Sequence, residues 1–215
     1  MKRKLSVIVL ILGLIIAFCS CAISQPKVIS SDGNSYNLVT DKDGQRVSDA
    51  NGNLIVAETD ADGNSVTKVL EDDYLVVINN EIITPNYELE IPKDFEIKSN
   101  GIEPLLENKQ GTIQQNILDK TQFVTDFDEY VDDTFDAYKN VGEITEEIET
   151  VEINGNEFKR FSLNMQDDEG TPLVVYCYFV KTAKEKTILI TLTSKDGGLN
   201  SVSDADSYVA NINLG

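Results

Sequence analysis

The pattern of apolar and polar positions changes character along the chain. Leu5 to Phe18 is an apolar run, residues 31–84 interleave short apolar segments with regularly spaced glycines, and from Tyr87 onward helical and strand periods alternate. Phe123, Phe127, Tyr130, Val131, Phe135 and Tyr138 form one apolar stripe at helical spacing, with Asp128, Glu129, Asp132, Asp133 and Asp136 between them. Thr125, with Asp128 three residues on, predicts the N-cap of this helix, and Gly142 its stop. The period then becomes two. Ile148 to Ile153, Asn154-Gly155 and Glu157 to Met165 read as a tight hairpin, followed by the apolar run Leu173 to Val180 and by Thr187 to Thr193. These four strands predict an antiparallel meander whose third member, apolar on both faces, is central. Tyr87 to Ile91 predicts a strand ahead of the helix and Thr112 to Ile117 a weaker one, while Ser203 opens a short closing helix with Tyr208, Val209 and Ile212 on its apolar side.

The predicted class is therefore α+β. Over residues 86–215 an antiparallel sheet of about six strands is covered by two main helices, and a small β-hairpin repeat region precedes it. Glu90-Ile91-Pro92 opens this unit, Phe127-Asp128-Glu129-Tyr130 begins an aromatic, acidic helix, and Ile153-Asn154-Gly155-Asn156-Glu157 makes a hairpin. With Tyr176-Cys177-Tyr178-Phe179 and the terminal helix, this order resembles the PsbP-like domain, a fold also used by Mog-type Ran-binding proteins and by a bacterial lipoprotein family. The resemblance implies an accessory or assembly protein that binds partner surfaces without a shared active site. It rests on order and pattern, and no family binding residue maps onto a position here.

Residues 31–84 carry an internal repeat. Gly33, Gly44, Gly52 and Gly63 each follow Asp or Asn, and the repeat aligns Val39-Thr40-Asp41-Lys42-Asp43-Gly44 with Glu58-Thr59-Asp60-Ala61-Asp62-Gly63. Asp-Gly and Asn-Gly supply the positive-φ residues of tight turns. The segments between them, such as Leu54-Ile55-Val56-Ala57, carry too few apolar residues to predict a core, so the region reads as a spacer of small hairpins. The same aspartates admit a calcium reading. With Gly63 as the sixth residue of an EF-type loop, Glu58, Asp60 and Asp62 occupy the first, third and fifth positions, but Val69 stands where a bidentate Glu is required.

The amino terminus adds an address. Lys2, Arg3 and Lys4 precede an apolar run too short to span a bilayer as a helix, which predicts a secretory signal over residues 1–20. Phe18-Cys19-Ser20-Cys21 resembles a bacterial lipoprotein signal, with the small Ser20 placing lipidation on Cys21; a cleaved signal or an uncleaved anchor are the other readings. Residues 21–30 would then be a lipidated tether. The implied location is the extracytoplasmic face of the cell membrane, through at least two acyl chains, since one chain holds only marginally.

Composition narrows the chemistry. The chain has 18 basic and 37 acidic residues, a net charge of −19, and removal of Lys2, Arg3 and Lys4 leaves 15 basic residues. A field of that sign repels phosphate backbones and argues against nucleic acid as a partner. The absence of His removes Ser/His and Cys/His catalysis and most zinc sites. Cys177, in a strand-like apolar run, reads as a small buried hydrophobe. Asp128, Asp132 and Asp136 share a helix face and read as solvated, and Lys159 and Arg160 as surface strand residues able to orient a partner carboxylate. The expected function is a non-enzymatic binding or accessory module for a protein or cell-surface partner, with no cofactor. The alternatives are a calcium-binding surface module built on the repeat and a carboxylate-based cell-wall hydrolase.

Overall fold

A computed structural model describes residues 27–31, 33–70, 73–98 and 101–214. The signal 1–20, Cys21 and most of the tether lie outside the described residues. The first six strands are β1 (Lys27–Ser30), β2 (Ser35–Leu38), β3 (Leu54–Thr59), β4 (Ser65–Leu70), β5 (Tyr74–Ile78) and β6 (Glu81–Ile83). They join β7 (Glu88–Glu90) and β15 (Ile212–Asn213) in an eight-stranded antiparallel sheet of order β15-β7-β6-β5-β1-β2-β3-β4. The remaining strands are β8 (Phe95–Ile97), β9 (Leu105–Asn108), β10 (Ile113–Asp119), β11 (Glu143–Ile153), β12 (Asn156–Gln166), β13 (Pro172–Lys181) and β14 (Thr187–Lys195). They form a seven-stranded antiparallel sheet, β11-β12-β13-β14-β10-β9-β8. Two helices complete the described residues, α1 (Phe127–Lys139) and α2 (Val202–Val209).

This corrects the expected fold class. The molecule is mostly antiparallel β, with two sheets of eight and seven strands, and is not a six-stranded sheet covered by two helices. The meander β11 to β14 is present with β13 buried on both faces, but its two faces meet different partners. Helix α1 covers one face, where Val131 and Phe135 pack on Phe161, Leu163, Cys177 and Phe179. The opposite face meets α2 through Ala205 and Val209, and the eight-stranded sheet through Leu75, Ile82 and Leu89. Residues on both sides of position 85 thus contribute strands to one sheet. The repeat region also has a core, contrary to expectation, built from Val28, Tyr36, Leu38, Leu54, Val56, Leu70, Val76 and Ile83. Single short strands look too polar for this, but antiparallel pairing places alternate apolar residues side by side on one face.

Local chemistry explains the turns. The Asn79-Asn80 and Asn154-Gly155 links have both residues at positive φ (52° and 66°, 49° and 76°), the geometry that matches strand twist. The repeat turns are of another kind, in which the aspartate three residues before the glycine does the work. The Asp60 carboxylate accepts hydrogen bonds from the Asp62 N–H (3.0 Å) and the Asn64 N–H (2.7 Å), while the Gly63 N–H donates to the Asp60 carbonyl at 3.0 Å. Asp41, Asp49 and Asp167 make the same pair of carboxylate bonds in their own loops. Helix α1 starts on Asp126, whose side chain accepts from the Glu129 N–H, and not on Thr125; α2 starts on Ser201, which accepts from the Asp204 N–H, and not on Ser203.

One polar side chain stands out in the core. Gln115 is fully buried on β10 between Ile113 and Ile117, opposite Leu106 and Leu192, and neither its Oε1 nor its Nε2 has a hydrogen-bond partner among the described residues. A buried amide without partners carries its desolvation cost uncompensated. Gln115→Leu, of similar volume, is expected to stabilise the protein by about 1–2 kcal/mol. A denaturation midpoint unchanged or lowered in that variant would contradict this account.

Candidate functional site

The turn Thr84-Pro85-Asn86-Tyr87 links β6 to β7, and a cleft opens on each side of it. The Thr84 hydroxyl holds the turn, donating to the Tyr87 carbonyl at 2.9 Å and accepting from the Tyr87 N–H at 3.0 Å. Asn86 Nδ2 donates to Asp119 Oδ2 at 2.7 Å, tying the turn to the end of β10. Lys184 Nζ, from the β13–β14 loop, donates to the Pro85 carbonyl at 3.0 Å. Elements from both sheets therefore fix this corner.

The first cleft, of about 410 Å³, is lined by Tyr74, Asn51, Ser48, Arg46, Glu88 and Lys184 among others. Arg46 lies on the segment between β2 and β3, bridged to Thr40, and its Nη2 lies 2.8 Å from Glu88 Oε1 on β7. Burial raises the Tyr74 hydroxyl above the ordinary range, with Arg46 opposing and Glu88 reinforcing the shift, so Tyr74 remains a neutral phenol.

The second cleft, of about 180 Å³, shares Tyr74, Pro85 and Tyr87 and adds Ile102, Glu103 and Phe123. Phe123 is 79% exposed on a short 3₁₀ turn, Thr121–Phe123. It was expected to begin the apolar stripe of the helix, but α1 starts four residues later and leaves its ring outside. Asp73, Glu103 and Asp119 surround this cleft, with Lys186 as a cation on its lining. A third concavity, of about 830 Å³, lies at the opposite end of the seven-stranded sheet beside the exposed Val141.

The candidate calcium residues are not drawn together onto one point by this fold. Glu58 is exposed at the end of β3, and Asp60 and Asp62 lie in the exposed β3–β4 turn, where Asp60 Oδ1 already accepts two backbone N–H groups. Among the described residues no group of three or more metal-ligating side chains is assembled. The bonds from Asn64 and Thr171 hold the Asp60 and Asp167 carboxyls below the usual range; at Asp49, burial pushes upward but the Asn53 and Asn51 N–H groups outweigh it. A lowered folded pKa means that the stabilisation is complete above the unfolded carboxylate value near ~3.9 and is lost as pH falls through the folded value. Carboxyl ¹³C titration should show Asp60 and Asp167 protonating below the ordinary carboxylate range; protonation within or above that range would contradict the turn geometry.

Other sequence candidates settle into structural roles. Asp128, Asp132 and Asp136 are exposed, and Lys159 Nζ meets Asp128 Oδ1 at 2.7 Å. Arg160 is not a surface residue: it is 9% exposed and pairs with Glu149 on β11 and Asp206 on α2. Cys177 is fully buried as expected, its thiol pushed up to about 12 by burial, which disfavours the thiolate a nucleophile needs. Sequence reasoning missed the cleft residues Arg46, Tyr74, Tyr87 and Lys184. The available signal was Arg46 itself, one of three arginines in a strongly acidic chain.

No family profile matches the chain, and no curated protein does. Among solved structures it is similar to PA94 of Pseudomonas aeruginosa, a protein of unknown function, at 16% identity and a TM-score of 0.38, over 65% of this chain and 94% of that one. It is also similar to a variant of the protein Mog1, at 10% identity and 0.37, and to the Saccharomyces cerevisiae Ran-binding protein Mog1p, at 10% identity and 0.36; each comparison covers 60% of this chain and 90% of the other.

Proposed function

We propose that this chain is a non-catalytic binding or accessory module, anchored through Cys21 at the extracytoplasmic face of the cell membrane, that engages a protein partner beside Phe123. The observation carrying this reading is a phenylalanine 79% exposed at the edge of a cleft containing Tyr74, Pro85, Tyr87 and Ile102. Large exposed aromatics next to pockets are the anchors on which interfaces concentrate binding energy. The acidic surround of Asp73, Glu103 and Asp119 favours a partner that flanks its apolar contact with Lys or Arg.

The test places a photo-crosslinking residue at position 123 in cells and a second at the exposed Lys42, which lines neither cleft. One protein captured from position 123 and not from 42, whose purified complex weakens at least about tenfold in Phe123→Ser, supports the reading. Equal capture at both positions, or an unchanged affinity, refutes it. The anchor has its own readout. Intact mass should show a mature chain beginning at acylated Cys21, and Cys21→Ser should leave the membrane fraction.

A further inference from the structure

The cleft on the other side of the Thr84–Tyr87 turn is lined by more cations than carboxylates, in a strongly acidic chain. Arg46 and Lys184 both line it, against the single carboxylate Glu88. Arg46 shares one contact with Glu88, and no other side-chain partner of its guanidinium is found among the described residues. Lys184 has no carboxylate partner among the described residues; its ammonium is positioned by the Pro85 carbonyl. Among the described residues the cleft lining therefore retains one uncompensated positive charge, in a chain of net charge −19. The other groups are neutral hydrogen-bonding groups. The Asn51 side chain and the Ser48 hydroxyl are exposed on the lining without protein partners among the described residues, and Tyr74 contributes a largely buried ring.

We propose that this cleft binds a sugar acid, a hydroxyl-rich ring carrying one carboxylate. A single carboxylate matches the one uncompensated cation, and the planar Arg46 fork suits it geometrically. A phosphate dianion would meet Glu88 and the surrounding negative field with one charge too many. The amide and hydroxyl groups suit ring hydroxyls, which both donate and accept. The volume of about 410 Å³ lies within the range of small-ligand sites.

The site lies across the Thr84–Tyr87 turn from the Phe123 contact, shares Tyr74, Pro85 and Tyr87 with that cleft, and is tested on the full chain in detergent. Amide NMR titrations compare D-glucuronic acid with D-glucose, which lacks only the carboxylate, and with inorganic phosphate. Glucuronate is expected to shift the Asn51 and Gly52 signals saturably, with glucose at least tenfold weaker. Lys184→Met should abolish that tenfold difference; it also removes the bond to the Pro85 carbonyl, so its own spectral changes should stay within the 84–87 turn and the 182–186 loop. Equal binding of the two sugars, saturable shifts elsewhere only, no shift at all, or phosphate binding as tightly as glucuronate would each overturn the proposal.

Discussion

Arg160→Met is expected to cost about 2–3 kcal/mol of stability and to loosen α2 ahead of the sheet. Arg160 Nε and Nη2 contact Glu149 Oε1 at 2.8 and 2.6 Å, Nη1 contacts Asp206, and the Tyr178 hydroxyl donates to Asp206 Oδ1 at 2.8 Å. This network joins three strands of the meander to the helix on their inner face. Burial opposes the charge on the guanidinium, but the Asp206 and Glu149 bonds outweigh it and hold Arg160 protonated; burial, with Asp206, also raises the Tyr178 hydroxyl. Methionine keeps the stem and removes the fork, leaving Asp206 against Tyr178 without its counter-charge. Breaking a fully buried pair costs about 3–5 kcal/mol, and the partial exposure of Glu149 and Asp206 reduces that figure here. Urea denaturation gives the total, and amide exchange in α2 gives its distribution. Arg160→Lys should recover only part, because an ammonium cannot contact both carboxylates in the same fork. A loss below about 0.5 kcal/mol, the range of ordinary surface changes, would show the network to be energetically idle.

Gly142→Ala is the second large effect, at about 1–3 kcal/mol. A Cβ on Gly142 would sit 2.5 Å from Leu163 Cδ1 and 2.6 Å from the Asn164 carbonyl oxygen. The side chain could rotate away, but the carbonyl belongs to β12, opposite the first residue of β11. Relief therefore requires β11 and the end of α1 to move off the meander together. Gly101→Ala is the control, because a Cβ there meets nothing within 4 Å and its φ is not positive. That variant is expected to be neutral or slightly stabilising through the unfolded chain. Equal effects from the two substitutions would show that close packing at position 142 is not the cause.

Much of the local structure was legible because it depends on neighbours in sequence. The α1 stripe from Phe127 to Tyr138, the Asn154-Gly155 hairpin and the both-face burial of β13 all follow from period and turn chemistry. The position of Phe123 was misread because helical spacing cannot reveal where capping stops a helix. Asp126 captures the Glu129 N–H, and the residues before it leave the helical path. Short strands were missed for a related reason. β8 has three residues and β15 two, too few to show a period, and they form because a neighbouring strand edge offers partners.

The candidate sites divide in the same way. Asp41 and Asp60 were visible as a repeated pattern, and their carboxylates, like that of Asp49, serve bonds two and four residues away. Arg46 and Glu88 are separated by 42 residues, and Lys184 meets the Pro85 carbonyl across 99. No periodicity carries such distances, since the free energy that brings these groups together comes from the cores between them. The sequence by itself determined the turns, the strand and helix alternation and the acidity of the surface, because these are set by residue type and near neighbours. Only the tertiary structure decided that the repeat curls into a second sheet, that Arg160 is interior, and that two clefts flank one turn, because burial and long-range pairing are collective properties of the packed chain.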